Sequence, residues 1–260
     1  MNSPRSDQPP ETQDRDPSMP HPVLRDYYPD PQSRREFLGD IFDEYADRYD
    51  ATERLIGFGS GPWYRREALK RAGLTPGMRV IDVGFGTGLV AREALAIVGD
   101  PALIVGVDPS PGMIAQANLP AALQRLIGKA EAIPQPDASA DFLSMGFALR
   151  HVDSLSLAFN EFHRVLRPGG RICLLEITPP RARLPAWLLR TYMRHLVPMM
   201  VRIKDRQPQS DRIWRYYWDT IEACVAPEQI LAALSTAGFI EVTRHVEAGI
   251  FSEYRARRPT

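Results

Sequence analysis

The stretch Val80-Ile81-Asp82-Val83-Gly84-Phe85-Gly86-Thr87-Gly88 constrains this chain more than any other. An apolar run of strand character enters a turn with glycine at every second position. A second apolar run, Val105-Gly106-Val107, ends on Asp108, twenty residues after Gly88. Glycines let the backbone adopt positive φ and approach a ligand closely. A distal carboxylate can accept both hydroxyls of a ribose. Together they point to an adenosine-containing cofactor at the carboxyl edge of a parallel sheet. A bare strand-helix turn would explain the glycines but not Asp108. A dinucleotide fingerprint would require glycine at Leu89, and no Lys-Ser pair follows to make a P-loop.

Composition narrows the class. The 260 residues carry 32 basic and 32 acidic side chains, so no global positive field points to nucleic acid. Nor does an Asn/Asp-Pro-Pro-Tyr/Phe motif follow the fourth strand. Cys173 and Cys224 are the only cysteines, which implies no disulfide framework and a reducing cytoplasm. The beginning of the chain lacks the apolar core of a signal peptide. No uninterrupted apolar run approaches the roughly 20 residues that span a bilayer. The expected location is the cytoplasm, at most peripheral to a membrane.

Residues 1–31 are rich in Pro, Asp, Gln, Ser and Arg and are expected to form a disordered tail. Docking of Tyr27 and Tyr28 is the alternative. From Arg34 the recurrence of Phe37, Ile41, Phe42, Tyr45 and Tyr49 predicts a helix, and a second covers Tyr64–Ala72. Strands are expected at Arg79–Val83, Leu103–Val107, Arg125–Gly128, Phe142–Phe147 and Arg171–Glu176. Helices are expected at Leu89–Val98, Met113–Asn118 and Ser154–Val165. This alternation predicts an α/β domain over 32–260, a doubly wound, mainly parallel seven-stranded sheet with helices on both faces. Arg167-Pro168-Gly169-Gly170 reads as a tight turn between helix and strand. Residues 182–222 read as a helical lid insertion. Pro227–Ala237 is a further helix, and Phe239–Arg244 with Ile250–Arg255 a closing antiparallel pair.

The glycine spacing resembles the first motif of class I S-adenosylmethionine (SAM) methyltransferases. Four stretches together resemble the ubiquinone/menaquinone C-methyltransferases across about 37–258. They are Phe42-Asp43-Glu44-Tyr45-Ala46-Asp47-Arg48-Tyr49-Asp50 with its flank to Arg66; the glycine motif with Asp108; Ala130-Glu131-Ala132-Ile133-Pro134 leading to Phe147-Ala148-Leu149-Arg150-His151; and Glu161 to Gly170, ending at Glu176. The resemblance implies a Rossmann-like fold and SAM-dependent methylation of a ring carbon on a prenylated quinol or related phenolic lipid. It places Arg150 at the catalytic or substrate-orienting position. The chain departs from the family pattern at Thr52-Glu53, at Lys129, and at Ala148 and His151. Lys129 stands where an Asp or Asn normally reads the adenine amino group, and lysine is only a donor. O- or C-methylation of another hydrophobic small molecule, and a non-catalytic SAM-binding subunit, are the competing readings.

Candidate roles follow from chemistry. Asp82 can orient loop amides or meet the cofactor's ammonium, beside Gly84, Gly86 and Gly88. Asp108 takes the ribose. Met113 packs beside adenine or fills core, Ala130 and Phe147 flank the cofactor, and Glu131 fixes the loop beneath adenine or is a surface carboxylate. A phenol ionises near pH 10, so ring attack needs a base or a cation for the phenolate. Arg150 stays protonated and suits the cation, or else a structural ion pair. His151 has the range for a base, or caps a helix. Tyr49 and Tyr45 wall the pocket or belong to a core stripe. The histidines lack ligand spacing, so no metal is assigned, and Cys173 reads as a buried strand residue. Ala182–Lys204 interleaves arginines with Trp, Leu and Met and fits either a lid or an anionic membrane surface. A homodimer is left open.

Overall fold

The computed structural model describes residues 18–205 and 212–260. Two helices lead in: α1 (Pro31–Ile56), capped by the Asp30 carboxylate accepting from Gln32 and Ser33 amides, and α2 (Gly61–Arg71). The strands are β1 (Val80–Val83), β2 (Ile104–Asp108), β3 (Gln124–Ile127), β4 (Ala140–Gly146), β5 (Leu166–Ile177), β6 (Ile240–Glu247) and β7 (Phe251–Arg257). Between them run α3 (Leu89–Val98), α4 (Pro111–Ala115), α5 (Leu155–Val165), α6 (Arg183–Thr191), α7 (Val197–Asp205), α8 (Arg212–Ala223) and α9 (Pro227–Thr236), with a π turn at Tyr192–Leu196.

The sheet order is β3-β2-β1-β4-β5-β7-β6. The first five strands in that order run parallel. β7 is antiparallel to β5, and β6 to β7. This is the expected seven-stranded, Rossmann-like sheet. All four β1 residues are buried, as expected of a central parallel strand covered on both faces. Successive side chains alternate between layers. Ile81 and Val83 join Phe159, Phe162 and Leu234 on one face. Val80 joins Leu69, Val90 and Ala94 on the other. A third cluster packs Ile41 and Tyr45 of α1 against Val197, Val201, Ile213 and Trp218 of the 182–222 insertion.

Three sequence readings change. The expected free tail includes residues 18–30, yet these dock on the domain; residues 1–17 lie outside the described residues. The Leu155 amide donates to the Ser18 carbonyl and the Val225 amide to the Pro20 carbonyl, each at 2.7 Å. Tyr28 is 2% exposed, packed against Phe37 and Tyr216, and the Tyr27 hydroxyl donates to Asp219 at 2.6 Å. Two aromatic rings outweigh the polar composition around them. The expected turn at Arg167–Gly170, with Gly169 at φ 80°, falls inside β5 and not before it, where the register against β4 shifts. The expected helix Met113–Asn118 is instead Pro111–Ala115, started by the Ser110 side chain and Pro111.

Tyr28→Ala is expected to destabilise the domain by about 3–5 kcal/mol, the usual cost of truncating a buried aromatic. Urea denaturation measures it. A change below about 0.5 kcal/mol, the surface range, would show that the segment is free.

Candidate active site

The sheet order reverses beside β1, and α/β sheets bind ligands in the crevice there, outside the carboxyl ends of the strands. The loops after β1, β2, β3 and β4 open there into a cavity of about 360 Å³, roofed by α1 and reached by Tyr217 of α8.

One end carries the glycine turn. Gly84, Gly86 and Gly88 have φ of 65°, 55° and 80°, in the left-handed region where a Cβ is strained. A Cβ on Gly84 would sit 2.6 Å from Ala148 Cβ, and one on Gly88 2.5 Å from Leu119 Cδ1. Gly84 and Gly86 line the cavity, whereas Gly88 lies at the start of α3. Asp108 lines the cavity and accepts from the Gly86 amide at 2.7 Å and the Ser110 amide at 2.9 Å. Burial raises its pKa to about 6, against the pull of those two amides. Met113, Lys129, Ala130, Glu131 and Phe147 also line the cavity. Glu131 accepts from the Asp153 amide at 2.6 Å and the Ser154 amide at 3.2 Å, fastening the β3 loop to the β4 loop. Asp82 does not line the cavity. It is buried behind the turn and accepts from the Ser144 hydroxyl at 2.7 Å, and burial raises its pKa to about 7. The strained turn and the cavity-facing carboxylate of Asp108 fit an adenosine-type ligand.

The other end is aromatic. Tyr49, Phe42, His151 and Tyr217 line it. The Tyr49 and Tyr217 hydroxyls are hydrogen-bonded at 2.6 Å. Only one can donate to the other, which leaves one proton free. His151 stacks on Tyr216, and both its ring nitrogens are buried without a partner among the described residues. Burial first, then the charges of Arg150 and Arg34, push its pKa well below the ordinary histidine value. The range that recommended His151 as a base is therefore not the range it has here; it is a neutral hydrogen-bonding group.

Arg150 is fully buried and does not line the cavity. Its guanidinium donates to Glu176 at 2.8 Å, the Phe147 carbonyl at 2.7 Å and Thr220 at 3.1 Å, and lies 4.4 Å from the Tyr217 ring centre. Burial opposes its charge, but Glu176 and the two tyrosines outweigh that and raise its pKa. Tyr45 points away into the α1–α8 core. Cys173 is buried in β5 with its pKa raised by burial.

Sequence reasoning missed Tyr217, Asp43 and Asp50. Asp43 accepts from the Ser110 hydroxyl and from the Gly112 amide at 3.0 Å, and Asp50 accepts from the Thr87 hydroxyl. The pair is seven residues apart, which puts both carboxylates on one helix face. That spacing is legible in the sequence; the loops they would reach are not.

Comparison with known proteins places these features in context. A model of the ubiE/COQ5 methyltransferase family matches residues 31–257. A ubiquinone/menaquinone biosynthesis C-methyltransferase UbiE from Geobacter sulfurreducens is 34% identical, over 78% of this chain and 81% of its own. The UbiE of Syntrophotalea carbinolica is 33% identical, over 90% and 97%. In fold, the chain matches the crystal structure of a SAM-dependent methyltransferase from Thermotoga maritima with TM-score 0.57 at 21% identity, covering 85% of this chain and 99% of that one.

Asp43→Ala is expected to cost about 0.5–1.5 kcal/mol by removing its hydrogen bonds from Ser110 and Gly112, and to speed hydrogen exchange of the Gly112 amide. Unchanged exchange would mean that α1 does not hold this loop.

Proposed function

The chain belongs to the ubiE/COQ5 methyltransferase family, and we propose that its cavity binds SAM beside a prenylated quinol or related phenolic lipid, whose ring carbon takes the methyl group. The observation that carries the reading is electrostatic. Arg150 lies 4.4 Å from the ring centre of Tyr217, and its charge works against the burial that raises the Tyr217 hydroxyl. The same field lowers the cost of ionising a phenol placed against it.

Asp108 is assigned to the ribose hydroxyls, the backbone of Gly84–Gly88 to close cofactor approach, and Met113, Ala130 and Phe147 to the cofactor's flanks. Asp82 supports the turn through Ser144, and Glu131 holds the loop against the start of α5. When bound, SAM supplies an electrophilic methyl group on a sulfonium. The residues around the acceptor align it and stabilise its charge, and alignment is worth much of an in-line displacement. Tyr49 and Tyr217 offer the acceptor oxygen their one uncommitted proton. His151 accepts or donates a hydrogen bond while uncharged. Arg150 acts from behind Tyr217, as a fixed charge that favours the phenolate. The acceptor is a lipid, so the protein meets it at a membrane surface through 182–204, a segment without a single Asp or Glu. Among the described residues, no helix is long and apolar enough to cross a membrane.

Incubation with methyl-labelled SAM and a lipid extract, followed by mass spectrometry, tests the acceptor. Label on a ring carbon of a demethyl-quinol is expected. Label on oxygen, or on a different phenol, would replace this acceptor with that one.

Asp108 sets a pH dependence for cofactor binding. With its carboxyl pKa at about 6, the ionised acceptor is present above that pH. SAM affinity, read by calorimetry, should be full above pH 6 and weaken as the pH falls through it. Asp108→Asn should remove the step and weaken binding roughly 10- to 150-fold, through loss of charge-assisted hydrogen bonds of about 1.5–3 kcal/mol. A pH-independent affinity in the parent protein would take Asp108 out of the cofactor site.

A further inference from the structure

The 182–222 insertion leaves much apolar surface in water. Leu184, Trp187 and Leu188 of α6 are 66%, 59% and 53% exposed; Met199 and Ile203 of α7 are 51% and 70% exposed. Steps of three and four keep a stripe on one side of a helix. The π turn at Tyr192–Leu196 spends extra residues on its winding, which carries the stripe from α6 to α7. Phe58 of the α1–α2 loop, 82% exposed, stacks on Tyr192 and extends the patch. Large exposed apolar patches mark interaction sites.

Beside this stripe lies a second, shallow pocket. Arg194, Arg202, Arg215 and His195 line it together with Pro198, Met199 and Ile203. Three arginines thus line it where the apolar stripe ends. The nearest carboxylates to Arg194 are Asp219 and Glu222 of α8, each at 4.0 Å, long contacts that leave its donors available to a better acceptor. Guanidinium groups suit phosphate, and an amphipathic surface with Trp and Leu on one side and arginines interleaved lies in a headgroup layer.

We propose that this pocket takes the phosphate of an anionic phospholipid while Leu184, Trp187, Leu188, Met199 and Ile203 enter the adjoining acyl boundary. The bilayer then lies along the outer side of α6 and α7, and α7 shares one apolar cluster with α8 and with α1, the roof of the acceptor end of the cavity. The inference deepens the reading of the acceptor as a lipid and rests on it for its purpose. Its test does not depend on turnover.

Full-length protein is floated with phosphatidylcholine vesicles containing graded phosphatidylglycerol, without SAM or acceptor. Binding should rise with phosphatidylglycerol and fall with salt. Arg194→Gln with Arg202→Gln should weaken it about thirtyfold, since each cation near an anionic surface contributes roughly 1 kcal/mol. Trp187→Glu with Leu188→Glu should weaken it independently, on vesicles of the same charge. Both pairs should keep parental SAM affinity and parental turnover on a short-tailed, water-soluble acceptor. Parental affinity of the arginine variant for phosphatidylglycerol vesicles would overturn the pocket. Equal binding to phosphatidylcholine alone would overturn the anionic headgroup. Loss of turnover on every acceptor with vesicle binding intact would instead count against the enzymatic reading.

Discussion

Arg150 is the residue on which the rest of this structure depends. It follows β4, yet its contacts reach three other elements of the molecule. Its guanidinium pairs with Glu176 on β5, reaches Thr220 on α8 and lies beneath Tyr217. Its carbonyl accepts from Arg34 of α1 at 3.2 Å. Sheet, roof helix and insertion therefore meet on one buried residue. A buried ion pair is no strong source of stability, since desolvation offsets attraction. What it supplies is position: the guanidinium ties α8 to β5, and the backbone carbonyl of the same residue ties α1 to the β4 loop. Among the described residues its buried Nη2 has no hydrogen-bond partner, so the guanidinium keeps a donor that its bonds do not use.

The roof has a second set of fastenings. Asp43 and Asp50 hold the two loops of the cofactor end, while Phe42 and Tyr49, from the same helix, face the acceptor end. One rigid helix thus indexes both halves of the cavity. In a displacement reaction that geometry matters more than any single acid or base. It also explains why so much of the acceptor wall is aromatic: rings exclude water, strengthen the field of Arg150 and leave few polar groups to satisfy.

The fold was legible because the evidence for it is local. Apolar strands, glycine turns and helix periodicity name the sheet, and the Val80–Gly88 and Asp108 spacing names its cofactor edge. The antiparallel end pair was legible for the same reason. The docking of Tyr28 was less so, because two rings in a polar segment weigh little in composition and much in contact area. Arg150 stood out as a residue, but not its burial, since Glu176, Thr220 and Tyr217 come from elements far apart in sequence. His151 shows the limit most clearly. Its ordinary pKa suggested a base, and only its burial, together with the charges folded around it, reveals that it stays neutral. Tyr217 lacked any signal, being one aromatic among several on an amphipathic helix.

The central claim is that a buried cation lowers the cost of ionising a phenol in this cavity. The most direct measurement is an absorbance titration of a nitrophenol held in the cavity, in the parent and in Arg150→Gln with Glu176→Gln, which removes both charges without stranding either. A bound phenol pKa lower in the parent than in the double variant, with SAM affinity retained, is the predicted result, because Arg150 works against the burial that raises a phenol here. A bound pKa equal in the two proteins would contradict it.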